Sequence, residues 1–224
     1  MSRRHKNTKA YKHKKDDNMY KLLEDLRYAN KEGMLNKSKM ILEELKDRYG
    51  NHDKIIFEEA LYYSKFFDEE SRNKALQLLK ELISGNTLNK QAAEYEYIKL
   101  ALYRNILNDD IVKYAMDLIN SNYRIVDVEY YIGKYYDKIG MFDEARIHFS
   151  KAIELGDDKS KPYITKIDYL QNRSLTSPYI EEIMEKDDLS LNELELKITF
   201  LLKEGKIFDA KDCLKQYENN IKDI

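Results

Sequence analysis

The residues of this chain able to do chemistry are few, and their spacing is poor. A metal centre needs several histidine, cysteine or carboxylate ligands at short spacings. The four histidines are His5, His13, His52 and His148. The first two are eight residues apart with lysines between them, and the others stand alone. The single cysteine, Cys213, excludes an internal disulfide. It sits between Asp212 and Leu214, beside the apolar side of the last helical stretch, where a buried structural thiol is expected rather than a nucleophile. No G-x-S-x-G elbow, G-x-G-x-x-G fingerprint or G-x-x-x-x-G-K phosphate loop occurs. Acidic runs such as "FFDEES" and "EKDD" read as caps and solvated faces in a chain with 41 acids. The expectation is a protein with no catalytic residues, no metal and no cofactor. The 19 tyrosines carry more information, and many are clustered: Tyr62-Tyr63, Tyr95 with Tyr97, Tyr130-Tyr131 and Tyr135-Tyr136.

The elements that position these rings should be helices. Over 224 residues, 42% are hydrophobic and 36% charged, with only 7 glycines and 2 prolines. Few breakers and abundant Leu, Lys and Glu favour helix over strand. No apolar run approaches the roughly 20 residues of a membrane span, and no apolar stretch follows the basic start as it would in a signal peptide. One cysteine suits a reducing compartment, so a cytoplasmic location is expected.

The helical pattern repeats. In "EYYIGKYYDKIGMFDEARIHFSKAIELG", Ile132, Gly133 and Tyr136 share one helical face, Gly140 breaks the helix, and Ala145, Phe149 and Ala152 line a second face. Gly133 and Ala145 allow close approach, Gly140 takes the turn, and Phe149 fills the seam to the next pair. The second-helix triad recurs at Ser38/Leu42/Leu45, Ala75/Leu79/Leu82, Val112/Met116/Ile119 and Ala210/Leu214/Tyr217, with a weaker copy at Ile180/Met184. The first members stand at positions 38, 75, 112, 145, 180 and 210, the near-constant period of a stacked repeat. Helix pairs are expected over 18–48, 53–84, 90–121, 125–156, 161–187 and 190–222. Asp16 and Asp17 are expected to cap the first helix, Ser177-Pro178 to open another, and Ser190 with Glu193 to form a capping box. "GDDKSKP" and "NRSLTSP" are the softest connections. The apolar stripe of the last stretch, Ile207 to Ile221 with charges elsewhere, leads one to expect a polar outer face that closes the stack.

Residues 129–156 resemble a tetratricopeptide repeat (TPR), whose pattern Ile132, Gly133, Tyr136, Gly140, Ala145, Phe149 and Ala152 match. The family's preferred Trp is replaced by Glu129 and its terminal Pro by Asp157. The resemblance implies an all-α solenoid of about six antiparallel helix pairs, a right-handed superhelix forming a single domain over 18–222. It also implies that the first helix of each pair lines a concave groove for a peptide or protein partner. Carried over by phase, the groove residues are Tyr20, Arg27, Asn30, Ser64, Phe67, Tyr97, Arg104, Tyr130, Lys134, Lys138, Thr165 and Tyr169. The family's carboxylate clamp of successive Lys and Asn is not matched: Tyr97 and Tyr130 stand at its first position, Ala101 and Lys134 at its second.

Residues 1–17 need a separate account. Arg3, Arg4, Lys6, Lys9, Lys12, Lys14 and Lys15 are seven positives with no acid among residues 1–15. Removing them from the net −2 leaves −9 for residues 16–224. Such a tail can contact nucleic-acid or lipid phosphates, or serve as a disordered, solvated leader. The interleaved polar residues favour the leader. Two functions follow: a non-catalytic adaptor, scaffold or regulator that holds a peptide in its groove, or a nucleic-acid-associated factor that uses the tail while the repeats recruit a protein.

Overall fold

The computed structural model describes residues 3–85, 87–172, 179–186 and 188–222; side chains of residues 3–16, 172 and 219–222 lie outside that description. Among the described residues there are twelve α-helices and no strand. They are α1 (Arg3–Lys31), α2 (Leu35–Tyr49), α3 (Asp53–Tyr63), α4 (Glu69–Ser84), α5 (Lys90–Tyr103) and α6 (Asp109–Asn120), followed by α7 (Ile125–Ile139), α8 (Phe142–Glu154), α9 (Lys161–Asn172), α10 (Ile180–Glu185), α11 (Leu191–Lys203) and α12 (Ile207–Lys222). A single 3-10 turn, Asp158–Ser160, leads into α9 within the first of the two soft connections. The second, 172–178, lies almost wholly outside the described residues, as does Ser177-Pro178. The helices pack in consecutive pairs as an all-α solenoid-type repeat. The chain parts into two compact units, residues 1–118 and 119–224.

In the first unit the core begins at Met19, Leu23, Leu26 and Ala29 of α1, packed on Ile41, Leu42 and Leu45 of α2 and on Ile55 and Tyr62 of α3. Ser38/Leu42/Leu45 and Ala75/Leu79/Leu82 are buried as expected. In α6 the phase is corrected by one residue: Ile111, Ala115 and Leu118 are buried, whereas Met116 is exposed. Both frames carry apolar residues at i, i+4 and i+7, so the pattern alone could not separate them. The edge-to-face contact of Tyr114 with Tyr97, at 5.2 Å between ring centroids, holds the inward frame. With Ile111 in register the first members stand at 38, 75, 111 and 145, a more even series than Val112 gives.

The start of α1 also differs from expectation. Residues 3–17 are helical and continuous with the rest of α1, so Asp16 and Asp17 are interior rather than capping. The basic stretch contains no Gly or Pro, and it extends a helix already anchored at Met19, which avoids the nucleation penalty of an isolated helix.

The second unit contains the motif-bearing hairpin. A Cβ on Gly133 would lie 2.7 Å from the Phe149 ring, so only glycine lets α7 and α8 meet there. Gly140 takes φ +81°, where it caps α7. Phe149 is fully buried and stacks on Tyr163 of α9, with centroids 4.7 Å apart, so it serves both its own hairpin and the seam. Glu129, at the position of the family's Trp, is buried and meets His148 Nδ1 at 2.6 Å. His148 is therefore mostly covered. Its ring also stacks on Tyr136. Ser190 and Glu193 form the expected capping box. Two readings of α12 are corrected. Cys213 is half-buried rather than buried, and Ile207, Phe208 and Leu214 are exposed, so the outer face is less polar than its charges suggested.

Candidate functional site

In the second unit α9 and α11 face each other across Tyr163. The Tyr163 hydroxyl accepts a hydrogen bond from Asn192 Nδ2 at 3.0 Å and lies 3.5 Å from the Tyr130 hydroxyl of α7. These contacts join the first helices of three successive pairs. Two cavities open beside them. One, of about 660 Å³, is lined by Tyr130, Lys161, Tyr163, Tyr179, Glu182 and Asn192 among others. The other, of about 250 Å³, lies between Pro162, Tyr163, Lys166, Tyr169 and Leu170 of α9 and Asn192, Glu195, Leu196 and Thr199 of α11. Pro162, Tyr163 and Asn192 line both, so the two adjoin and together make the groove between α9 and α11.

The electrostatics of this groove are largely settled internally. Lys161 lies 2.8 Å from Glu182 and 2.9 Å from Asp158, and those hydrogen bonds raise its pKa despite partial desolvation. Lys166 is held by Asp137 at 2.9 Å. Burial, then the adjacent Tyr163 hydroxyl, pushes the Tyr130 phenol well above its ordinary pKa, so it stays neutral. The lining therefore offers ring faces, a carboxamide and a hydroxyl more than unpaired charge. Such a set suits the backbone and side chains of an extended peptide. Among the described residues no cluster of three histidine, cysteine or acidic groups could hold a metal, and no helix is long and apolar enough to cross a membrane.

Of the five residues expected here, Tyr130 and Tyr169 line the groove. Lys134 lies over the Tyr130 ring at 5.4 Å, and Lys138 is exposed. Thr165 is buried, its hydroxyl donating to the Lys161 carbonyl. Sequence reasoning missed Tyr163, Lys166, Asn192, Glu195 and Thr199. The signal was present in the i, i+3, i+7 spacing of 163, 166 and 170 and of 192, 195 and 199.

The seven residues expected in the first unit sit in different surroundings. The Tyr20 hydroxyl accepts from Lys54 Nζ at 3.1 Å, with that ammonium also over its ring. Arg27 Nε meets Glu58 at 2.5 Å. Ser64 donates to the Leu61 carbonyl. Arg104 donates to the carbonyls of Ser64 and Phe66 and lies over the exposed Phe67 ring, so it brings three of the expected residues together. Asn30 and Tyr97 are buried instead of lining a surface. Tyr97, 1% exposed, accepts from Asn108 Nδ2 at 3.0 Å. Side chains of the seven basic residues from Arg3 to Lys15 lie outside the described residues.

No family model and no curated protein matches this chain. Among solved structures it is similar to PilF of Pseudomonas aeruginosa, a TPR-containing protein, with a TM-score of 0.67. The match covers 93% of this chain and 92% of that one at 12% identity, a likeness of fold alone. The chain accordingly has a TPR-like, all-α helical-repeat fold.

Proposed function

We propose that this protein is a non-catalytic, cytoplasmic interaction module that holds an extended peptide or protein segment in the groove between α9 and α11. The observation that carries this reading is the Tyr130–Tyr163–Asn192 chain of hydroxyl and carboxamide contacts, flanked by two adjoining cavities. A TPR-like fold is in keeping with a protein partner, and a groove supported by packed helices orders the ligand rather than the receptor. The organisation of residues 18–222 as one functional domain belongs to the same proposal.

The test begins with peptides selected from a random library on the purified chain. Asn192→Ala and Lys166→Ala should each weaken the selected peptides about 10-fold or more, the scale of a binding hot spot. Met40→Ala, at an exposed position of α2, should leave them unchanged. Peptides indifferent to both groove substitutions would place binding elsewhere.

A further inference from the structure

The basic beginning of α1 is left unused by the groove. Two contacts mark where its neighbours stop. Asn18 Nδ2 donates to the hydroxyl of Tyr49, the last residue of α2. Lys54, the second residue of α3, donates to the hydroxyl of Tyr20. Both neighbouring helices are therefore level with residues 18–20, and the first buried residue of α1 among those described is Met19. Residues 3–17 continue beyond both, about 22 Å at the helical rise of 1.5 Å per residue.

Seven Lys and Arg positions occupy this extension, with no acid before Asp16. At about 100° per residue the seven positions fall at all azimuths. Ala10 and Tyr11 are adjacent and form no stripe, so the extension has no apolar face for a protein core or an acyl layer. It is also electrostatically unfavourable on its own. Like charges three and four apart repel, and Arg3 and Arg4 sit in a first turn without an acid, where the macrodipole favours anions. A polyanion along the arm would relieve both.

We infer that residues 3–15 form a helical arm that binds the phosphate backbone of double-helical nucleic acid by charge rather than by sequence. A duplex carries one phosphate per about 1.7 Å of axis, so a ~20 Å arm meets more phosphates than its seven cations need. An arm charged on all sides can engage both strands bordering a groove, whereas a flat lipid surface meets only one side. The −9 balance of residues 16–224 repels the same polyanion, which confines contact to the arm.

The experiment measures fluorescence anisotropy of labelled 20-base-pair DNA and RNA duplexes of mixed sequence, titrated with the full chain at several salt concentrations. The comparison is a variant with all seven Lys and Arg residues changed to Gln, a residue of similar helix propensity. Parent protein should bind with a log–log salt slope of at most about −6 on DNA, which corresponds to about 4,000-fold weaker binding between 50 and 200 mM salt. The variant should bind at least about 100-fold more weakly at 50 mM salt, with its slope near zero. Circular dichroism should show the variant as helical as the parent, so that lost binding reports lost charge and not a lost fold. Binding to either duplex with these properties supports the arm, and a preference between DNA and RNA identifies the source of the phosphates. The inference is overturned by a variant that keeps affinity and slope, by parent protein that binds neither duplex at 50 mM salt, or by binding to phosphatidylserine vesicles but to neither duplex.

Discussion

Both units bury carboxylates on the first helices of their pairs, and Glu58 and Glu94 of the first stand in the opposite electrostatic state to Glu193 of the second. In the first unit Glu58 and Glu94 are almost fully covered, and desolvation raises both above the usual glutamate range. Arg27 opposes this for Glu58, and Lys90, 3.5 Å away, opposes it for Glu94, without reversing it. In the second unit burial also raises Glu193, but hydrogen bonds from Ser190, then the Lys186 ammonium, outweigh it and leave the pKa lowered. The difference lies in local chemistry. Glu193 sits in the first turn of α11, within a capping box, where backbone N–H groups and the macrodipole favour an anion. Glu58 and Glu94 lie inside α3 and α5, where the backbone offers no spare donors. At Glu58 and Glu94 the first unit therefore carries charge that burial penalises, while at Glu193 the second places charge where the helix already favours it.

The largest effect should come from removing the second unit's ring packing. Phe149 touches Gly133, Tyr130 and Tyr163, and its truncation leaves a hole between three helices. Phe149→Ala should cost about 3–5 kcal/mol, read as a drop in the urea midpoint by circular dichroism. Gly133→Ala should cost about 1–3 kcal/mol by forcing that ring aside. If both lie within about 0.5 kcal/mol of the parent, the range of an ordinary surface substitution, ring packing is not what holds the second unit.

Next comes the first unit's buried charge. Arg27→Ala leaves Glu58 without its partner. Orphaning a fully buried ion costs about 3–5 kcal/mol, but Arg27 is half exposed and water screens the pair, so about 1–3 kcal/mol is expected. In a double-mutant cycle, Arg27→Ala should cost much less once Glu58→Gln is present. An unchanged cost would mean that Arg27 acts by packing alone.

The hairpin boundaries were legible because they rest on local chemistry: turn glycines, caps and a near-constant repeat period. Phase about each helix axis was less so. In α6, Ile111/Ala115/Leu118 and Val112/Met116/Ile119 are equally apolar, and only Tyr97, a residue of another helix, selects between them. In the groove Tyr130 and Tyr169 were found, but on α9 the buried Thr165 was named instead of Tyr163, and no residue of α11 was carried over, so Asn192 was missed. The Glu129–His148 pair was hidden for another reason. A buried acid at a position normally given to Trp reads as a defect until its partner on the next helix is in place.

The opposite pKa directions separate the units by pH. Glu58 has a raised folded pKa, so its contribution is full below the unfolded value of about 4.3 and is lost as pH rises through the folded value. The stability of Glu58→Gln relative to parent should therefore improve from pH 4 to pH 7. Glu193 has a lowered folded pKa, so its contribution is present above about 4.3 and is lost as pH falls through the folded value. The cost of Glu193→Gln should be greatest at pH 7 and shrink in acid. Urea titrations of the two variants across this range should give slopes of opposite sign, and slopes of equal sign would remove the electrostatic distinction between the units.

The smallest single effect, at Met116, tests the corrected phase of α6. Met116 is 45% exposed, and Met116→Ala should shift stability by no more than about 0.5 kcal/mol. If Ile111, Ala115 and Leu118 are the inward face, Leu118→Ala should instead cost about 2–5 kcal/mol, because Leu118 has no exposed surface. Under the alternative frame the order reverses, since Met116 would then occupy the position that Leu79 fills in α4 and Phe149 in α8. The contrast between these neighbouring truncations depends on the rotation of α6 about its own axis alone. Similar costs for both would mean that α6 is seated in neither frame, leaving the first unit's last hairpin looser than the 0% exposure of Ile111 and Ala115 requires.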